Sequence, residues 1–426
     1  MSEIQLSYNM KVKASYDVIV AGGGVAGVAA ALTANQRGLK VLLIEKSCVL
    51  GGLATMGLVN FFVPMCNGRG RQIIFGLADK WIDECAKYGY EIMDDEWKNR
   101  KDGSCAGKTQ ARLIQRYSPY IFALQMTEMI KNAGIDLLFD CMVTEPVMDG
   151  KVCKGIITES KSGKYYYEAK IVIDTTGDAD ILRRSGMPTV KGKNFHTYIG
   201  KLISLDSCKK AIEHNDIDRA FTGIFGGNIN LYGDNQPDDV PLWSGTTVEE
   251  VTDYYIFEQL EMLKNVKAIE DKNSRDITML PMMPSFRTTC RINGDYTLLE
   301  SDAYKHFDDS ICAINDFERR DFLYEVPLRC LTKKGWPNLI TAGRSASGDG
   351  YGWDLLRVIP PAILTGQAAA EAAALAIESG KPIAEVDINV LQTRLEKDDN
   401  IMIHFPDELI PEDTSVSEIE PICGHI

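Results

Sequence analysis

Residues 17–45 read DVIVAGGGVAGVAAALTANQRGLKVLLIE, and their order of residue types decides the fold. Asp17–Ala21 is a short, β-branched apolar run that predicts a buried strand. Gly22-Gly23-Gly24 follows, then small residues from Val25 to Arg37 that predict a helix closed by Gly38. Lys40–Ile44 predicts the next strand. Such short connections between strand, helix and strand predict a βαβ unit in a parallel sheet covered by helices. Within the unit, Gly22-x-Gly24-x-x-Gly27 stands where the strand ends and the helix opens. Gly22 permits a tight turn, Gly24 leaves the backbone bare for a pyrophosphate, and Gly27 lets the helix lie close to the strand. The N–H groups around Val25 and Ala26, at the positive end of the helix, then face phosphate. Glu45 ends the second strand 23 residues after Gly22, where a carboxylate accepts hydrogen bonds from an adenosine ribose. It would repel a 2′-phosphate, so FAD or NAD fits better than NADP. Lys46 follows, and Gly51-Gly52 supplies a second flexible turn beside an extended cofactor.

Outward from this unit, Tyr120–Ala133 predicts a helix that Gly134 terminates, and Ile135–Phe139 and Met142–Val147 predict strands. Val152–Glu159 and Tyr165–Tyr167 flank a Ser162-Gly163 turn as a hairpin, and Ile171–Asp174 returns to the buried sheet. From about Met187 to Glu325, polar Asn-, Asp- and Gly-rich loops alternate with helical stretches such as Val248–Lys267. The sheet resumes at Leu339–Ala342. The Ala-rich run Ala362–Ile377 predicts a buried helix, and Val386–Lys397 a surface helix capped by Asp387. The expected organisation is an α/β fold. A Rossmann-like FAD-binding domain with a parallel sheet occupies 14–186, with a short insertion at 76–118, and closes at 326–400. An inserted α+β substrate or cap domain occupies 187–325, and a tail follows at 401–426.

The chain has 426 residues, 45% of them hydrophobic and 25% charged, a globular composition long enough for two or three domains. Its formal net charge of −14 argues against nucleic-acid and membrane-surface partners, because an acidic surface repels both. No stretch reaches the roughly 20 apolar residues of a membrane helix, and Met1–Ala14 has no apolar signal core. Eleven cysteines without a C-x-x-C pair, and only five histidines, argue against iron–sulfur clusters, zinc ribbons and dithiol chemistry. No metal is expected, and a reducing cytoplasm is the expected compartment.

Residues 16–60, YDVIVAGGGVAGVAAALTANQRGLKVLLIEKSCVLGGLATMGLVN, resemble the opening of the FAD-dependent oxidoreductase family within the glutathione-reductase-like flavoproteins. The flavoprotein subunits of fumarate reductase and heterodisulfide reductase are among its relatives. IVIDTTGDADI (Ile171–Ile181) resembles the family's strand and Thr-Gly-Asp turn. NLITAGRSAS (Asn338–Ser347) with RVIPPAILTGQAAAEAAALA (Arg357–Ala376) resembles its closing motif, and SFRTTCRINGDYTLLESD (Ser285–Asp302) is also similar. The resemblance implies that Gly22, Gly24, Gly27 and Glu45 hold the ADP half of FAD, and that Gly51, Gly52 and Ala54 follow the ribityl and flavin half. It implies that the Val143 backbone meets adenine and that Gly177, Gly343 and Arg344 lie in turns near the cofactor. The helix opening at Pro361-Ala362 is implied to point its positive end at the flavin N1/C2 edge. The relatives that attach FAD covalently use a histidine after the ribose-binding acid. None occurs between Glu45 and Arg69, so non-covalent FAD is expected.

On the substrate side, Arg357, Arg287 and Arg291 are candidate clamps for a carboxylate or a substrate oxygen. Arg287 and Arg291, four apart, fit one helix face; domain-closing salt bridges are the alternative for each. Cys290 stands where the family often has another arginine. Tyr351 and Asp354, in the glycine-rich stretch GDGYGWD, are candidate proton carriers beside Arg357. His196 and His306 are weaker candidate bases, and Cys66 reads as packing rather than nucleophile. The expected activity is hydride transfer between FAD and a small polar, anionic substrate, with an unidentified electron donor or acceptor and a homo-oligomeric assembly. Alternatives are an electron-transfer subunit of a larger complex and an NAD-binding relative of thiazole synthases. A tRNA-modifying flavoprotein is disfavoured by the charge.

Overall fold

The computed structural model describes residues 9–98, 100 and 112–414. The 76–118 insertion and the 401–426 tail therefore lie partly outside the described residues. A seven-stranded sheet forms the centre, in the order Asp136–Leu138, Val41–Ile44, Val12–Ala21, Gly163–Asp174, Val152–Ser160, Cys141–Asp149, with Leu339–Thr341 also pairing Gly163–Asp174. The first four strands and Leu339–Thr341 are mutually parallel, whereas the Cys141–Ser160 part is an antiparallel meander. The turn at Ser162-Gly163 forms as expected. The two runs beyond it, Tyr165–Tyr167 and Ile171–Asp174, are one twelve-residue strand. Its first half pairs the meander and its second half pairs Leu339–Thr341 along the same edge.

The strands Val18–Ala21 and Val41–Ile44 are buried on both faces, which is why they read as continuous apolar runs rather than alternating ones. Helix Val25–Gln36 lies against helix Ile359–Ser379. Both are built of Ala and Gly where they meet, and a Cβ at Gly366 would overlap the Ala26 carbonyl. The small residues thus set the closeness of the two helices. The long helix starts at Ile359, three residues before the expected Ala362, and Asp387 caps Ile388–Lys397 as expected.

Two expectations are corrected. The stretch from Tyr351 is not loop: Tyr351–Arg357 is a helix, set at 74° to Ile359–Ser379. Pro360 and Pro361 have no N–H to return to residues 356 and 357, so one helix ends and another begins at Val358. Arg287 and Arg291 do not share a helix face. Arg291 is in the strand Cys290–Ile292, which pairs Thr189–Lys191, and Arg287 precedes it in a loop. An i, i+4 spacing carries no facing relation outside a helix.

A second, antiparallel sheet of Phe221–Asn228, Thr197–Ser204 and Arg275–Met279 packs on helix Val248–Lys267 through Tyr198, Tyr254, Met262 and Phe286. Among the described residues no single helix is long and apolar enough to cross a membrane.

Candidate functional site

The register of the parallel strands builds the site. Ala21 pairs with Ile44 on one side and with Asp174 on the other, and Asp174 pairs with Thr341. The residues that leave these strands, Glu45, Gly22, Thr175 and Ala342, therefore emerge side by side at one sheet edge. In open α/β sheets this edge, outside the carboxyl ends of the strands, is where ligands bind.

At its centre Gly22 turns the chain at φ +108°, with the Thr175 backbone where a Cβ would be. A Cβ at Gly27 would overlap the Gly22 carbonyl oxygen. At Gly24 (φ −66°) no described atom lies within 4 Å of that position. Gly22 and Gly27 are thus glycine for the protein's own packing, whereas Gly24 leaves space. Helix Val25–Gln36 opens there with no side-chain cap among the described residues, so Val25 and Ala26 begin a helix whose positive end faces that space. The Gly51-Gly52 turn closes in from the next loop: Gly51 N donates to the Gly23 carbonyl at 2.8 Å, and Gly24 and Gly51 form a parallel bridge. Ala54 is buried behind it, and its carbonyl accepts from Tyr117 Oη at 3.0 Å.

Glu45 is buried, and its carboxylate already accepts from Gly23 N at 2.7 Å and Ser47 N at 2.8 Å. That anchors the carboxylate beside the glycine turn, with lone pairs left for a ligand hydroxyl. Lys46 is exposed. Val143 is in the meander strand Cys141–Asp149, whose Cys141 N donates to the Glu45 carbonyl at 3.2 Å. The Val143 carbonyl accepts from Arg184.

The closing segment meets the same place. Gly343, at φ +71°, lies against Ala26 and Ala362, and its N–H donates to Thr365 Oγ1 at 2.9 Å. Pro361 and Ala362 are in the first turn of Ile359–Ser379, which also lacks a side-chain cap among the described residues. Two helix N-termini without side-chain caps thus lie close together, with Gly343 against both. Arg344 turns the other way. Its guanidinium donates to Phe286 O, Thr289 Oγ1 and Asp178, and its Nη2 sits where a Cβ at Gly177 would be. It therefore ties the closing turn and the Gly177 turn to residues 286–289.

The substrate-side candidates form a separate group around helix Tyr351–Arg357. Arg357 Nε contacts Asp354 Oδ1 at 2.6 Å. Tyr351 Oη donates to Asp316 at 2.6 Å, and its ring stacks on Phe317 and, at an interplanar angle of 5°, on Tyr232. The Tyr232 hydroxyl donates to Glu318, and the Arg319 guanidinium lies 4.7 Å from the Tyr351 ring. Burial pushes Asp316 and Glu318 above the usual carboxylate range and Tyr351 well above the usual phenol range. A cleft of ≈ 690 Å³ opens on Arg319, Asp349 and Tyr351.

Arg291 is 5% exposed, paired with Asp349 at 3.2 Å and set over the Trp353 ring. Arg287 donates to the Ile229 carbonyl at 2.9 Å. Arg291 thus rests on helix Tyr351–Arg357 through Trp353, whereas Arg287 is tied to the segment at Ile229. His196 contacts buried Glu258 at 2.9 Å, and Cys66 is buried with its thiol pushed up by desolvation. Thr175, Asp316, Glu318 and Tyr232 are additions that the spacing of residues does not single out. Only Thr175, directly before the Thr176-Gly177-Asp178 turn, carries a local signal.

The space at Gly24, the uncapped helix and the buried Glu45 suit a dinucleotide with a pyrophosphate and an adenosine ribose. Comparison with known proteins agrees. The family described as FAD dependent oxidoreductase matches residues 17–219 and 227–395. A digeranylgeranylglycerophospholipid reductase of Methanocella arvoryzae is 29% identical over 195 residues, 43% of this chain and 45% of the relative. A tRNA uridine 5-carboxymethylaminomethyl modification enzyme MnmG of Geobacillus thermodenitrificans is 29% identical over 164 residues, 38% of this chain and 24% of that protein. The matches thus span half or less of those relatives' length. A geranylgeranyl bacteriochlorophyll reductase-like protein of Thermoplasma acidophilum superposes with a TM-score of 0.43 at 14% identity, covering 93% of this chain and 94% of that one. Because the family match begins at the first central strand and runs through the closing helix, the chain belongs to the FAD dependent oxidoreductase family and is a flavoprotein enzyme.

Proposed function

We propose that the chain binds FAD non-covalently at this sheet edge and exchanges a hydride between it and a small polar, anionic substrate. Gly22, Gly24, Val25, Ala26 and Gly27 receive the pyrophosphate, Glu45 the adenosine ribose, and Lys46 and Val143 flank the adenine. Gly51, Gly52, Ala54, Gly177, Gly343 and Arg344 line the ribityl and flavin half, the last two through their backbone. The observation that carries the reading is Gly24, whose bare backbone stands at an uncapped helix N-terminus beside Glu45. FAD, when bound, supplies two-electron chemistry at N5. The helix N-terminus at Pro361 and Ala362 would offer its positive dipole to the negative charge that builds on such a cofactor when it is reduced.

Asp354 holds the Nε edge of Arg357, leaving the Nη groups to orient a substrate oxygen. The Tyr351–Asp316 hydrogen bond is the route for the accompanying proton, since burial keeps both groups inclined to hold one. Arg291 steadies Asp349 beside this helix, and Arg287, held on the Ile229 carbonyl, keeps its charge in the loop before Arg291.

The test is anaerobic bleaching of the purified holoprotein with hydroxy acids, amino acids and sugar acids, and reoxidation of chemically reduced enzyme by their unsaturated or keto counterparts. Arg357→Met is expected to retain FAD and to slow the responding reaction at least tenfold. A holoprotein that reacts with none of them favours an electron-transfer subunit. Protein that takes up no FAD overturns the whole reading.

A further inference from the structure

Outside the residues assigned to FAD, His306, Glu325 and His404 bring one ligand atom each to within 4.8 Å of one another. They come from three parts of the chain. Glu325 is in the buried strand Leu323–Pro327, which pairs antiparallel with Ser310–Asn315. His306 precedes that hairpin, and Phe307 N donates to Glu325 Oε2 at 2.8 Å. His404 arrives with the segment 400–406, which runs along the hairpin: Ala313 N donates to the Met402 carbonyl and Ser310 Oγ to that of Ile403. Backbone contacts thus hold all three donors in place.

The donors converge on one point. Glu325 Oε1 lies 2.5 Å from His306 Nδ1 and 3.0 Å from His404 Nδ1. A tetrahedral zinc ion with Zn–N near 2.0–2.1 Å needs ligand atoms about 3.3 Å apart, so a small outward movement of the rings admits one. The remaining polar atoms are arranged as metal sites arrange them. His306 Nε2 lies 2.9 Å from Asp407 Oδ1, a carboxylate placed to accept the Nε2–H of an imidazole that ligates a metal through Nδ1. The second oxygen of Glu325 is occupied by Phe307 N–H. Both imidazoles are partly exposed, with side chains 41% and 45% accessible, while Glu325 is fully buried. An ion therefore has a way in and a fixed anionic anchor. Two imidazoles and one carboxylate suit zinc or a neighbouring first-row ion, not calcium or magnesium, which take oxygen ligands.

We propose that His306, Glu325 and His404 bind a divalent transition metal of the zinc type, positioned by Asp407, which clasps the 400–407 segment to the Ser310–Pro327 hairpin. Ligands 19 and 79 residues apart form no sequence motif, so only the fold reveals them.

The experiment uses tag-free, full-length holoprotein stripped with chelator and titrated with zinc chloride by calorimetry, with bound metal counted by elemental analysis. One zinc per chain is expected, with no uptake of calcium under the same conditions. His404→Ala is expected to weaken zinc at least a hundredfold, and Asp407→Asn about tenfold, with flavin content unchanged in both. Limited proteolysis of the 400–407 segment is expected to slow when zinc is added to the parent protein but not to His404→Ala. Zinc uptake that is absent, or equal in parent, His404→Ala and Asp407→Asn, overturns the site. Should His404→Ala fail to fold, Asp407→Asn, altered at an exposed side chain, decides alone.

Discussion

The Thr175 hydroxyl donates to the Gly22 carbonyl at 2.8 Å and lies 3.0 Å from that of Ala21. A side chain leaving one parallel strand therefore pins the glycine turn leaving its neighbour. The helix that follows is fixed in direction by a contact from 153 residues further along the chain. Thr175→Val keeps the shape and removes the donor. It is expected to cost about 1–2 kcal/mol of stability and to weaken FAD several-fold, read from urea unfolding and from flavin titration of the apoprotein.

The glycines of the turn separate by cause. Gly27 has no room for a Cβ because of the Gly22 carbonyl, whereas Gly24 has open space and an ordinary φ of −66°. Gly24→Val is expected to leave apoprotein stability within about 0.5 kcal/mol while lowering FAD affinity at least tenfold. Gly27→Ala is expected to lose both. Equal flavin binding by parent and Gly24→Val would show that the space at Gly24 is not where the pyrophosphate lies.

Glu371 is fully buried on the long closing helix, and Arg37, at the end of the first helix, reaches it at 2.5 Å. Burial pushes Glu371 up to about 7, and the Arg37 contact is the main influence the other way. Arg37→Met removes that influence and raises Glu371 further, so the folded form holds a proton that the unfolded chain releases near its ordinary value of 4.5. Stability of the variant therefore falls as pH rises from 5 to 8, more steeply than in the parent. The expected loss is about 3 kcal/mol at pH 8 and smaller at pH 5, measured by denaturant unfolding at both.

Tyr351 Oη and Asp316 are 2.6 Å apart in a buried setting. Tyr351→Phe leaves the Asp316 carboxylate with its backbone donors at Glu318 and Arg319 but without the phenol. Flavin content is expected to stay the same, while the pH profile of substrate-driven flavin reduction shifts. An unchanged profile would remove Tyr351 from the proton route and leave it a packing residue.

The βαβ opening was legible because all its determinants are neighbours in the chain: a β-branched run, a glycine turn, a small-residue helix and an acid at a set distance. The closing helix was legible for the same reason, although its first turn lay three residues earlier, at Ile359. Arg287 and Arg291 misled because spacing speaks of a shared face only once the secondary structure is known, and here it is loop and strand. The GDGYGWD stretch misled because glycine favours loops in isolation. Tyr351–Arg357 is instead a helix whose residues 351–356 are buried, set at 74° to Ile359–Ser379.

By itself, then, the order of residues 17–45 determined a dinucleotide-type cradle and which backbone positions are bare, since those are matters of turn geometry and a helix end. Tertiary structure alone decided which side chains stand together beyond it: Thr175 on Gly22, Tyr351 on Asp316, and two imidazoles on Glu325. Such pairs depend on strand register and on where the chain returns, and a distance in sequence carries neither.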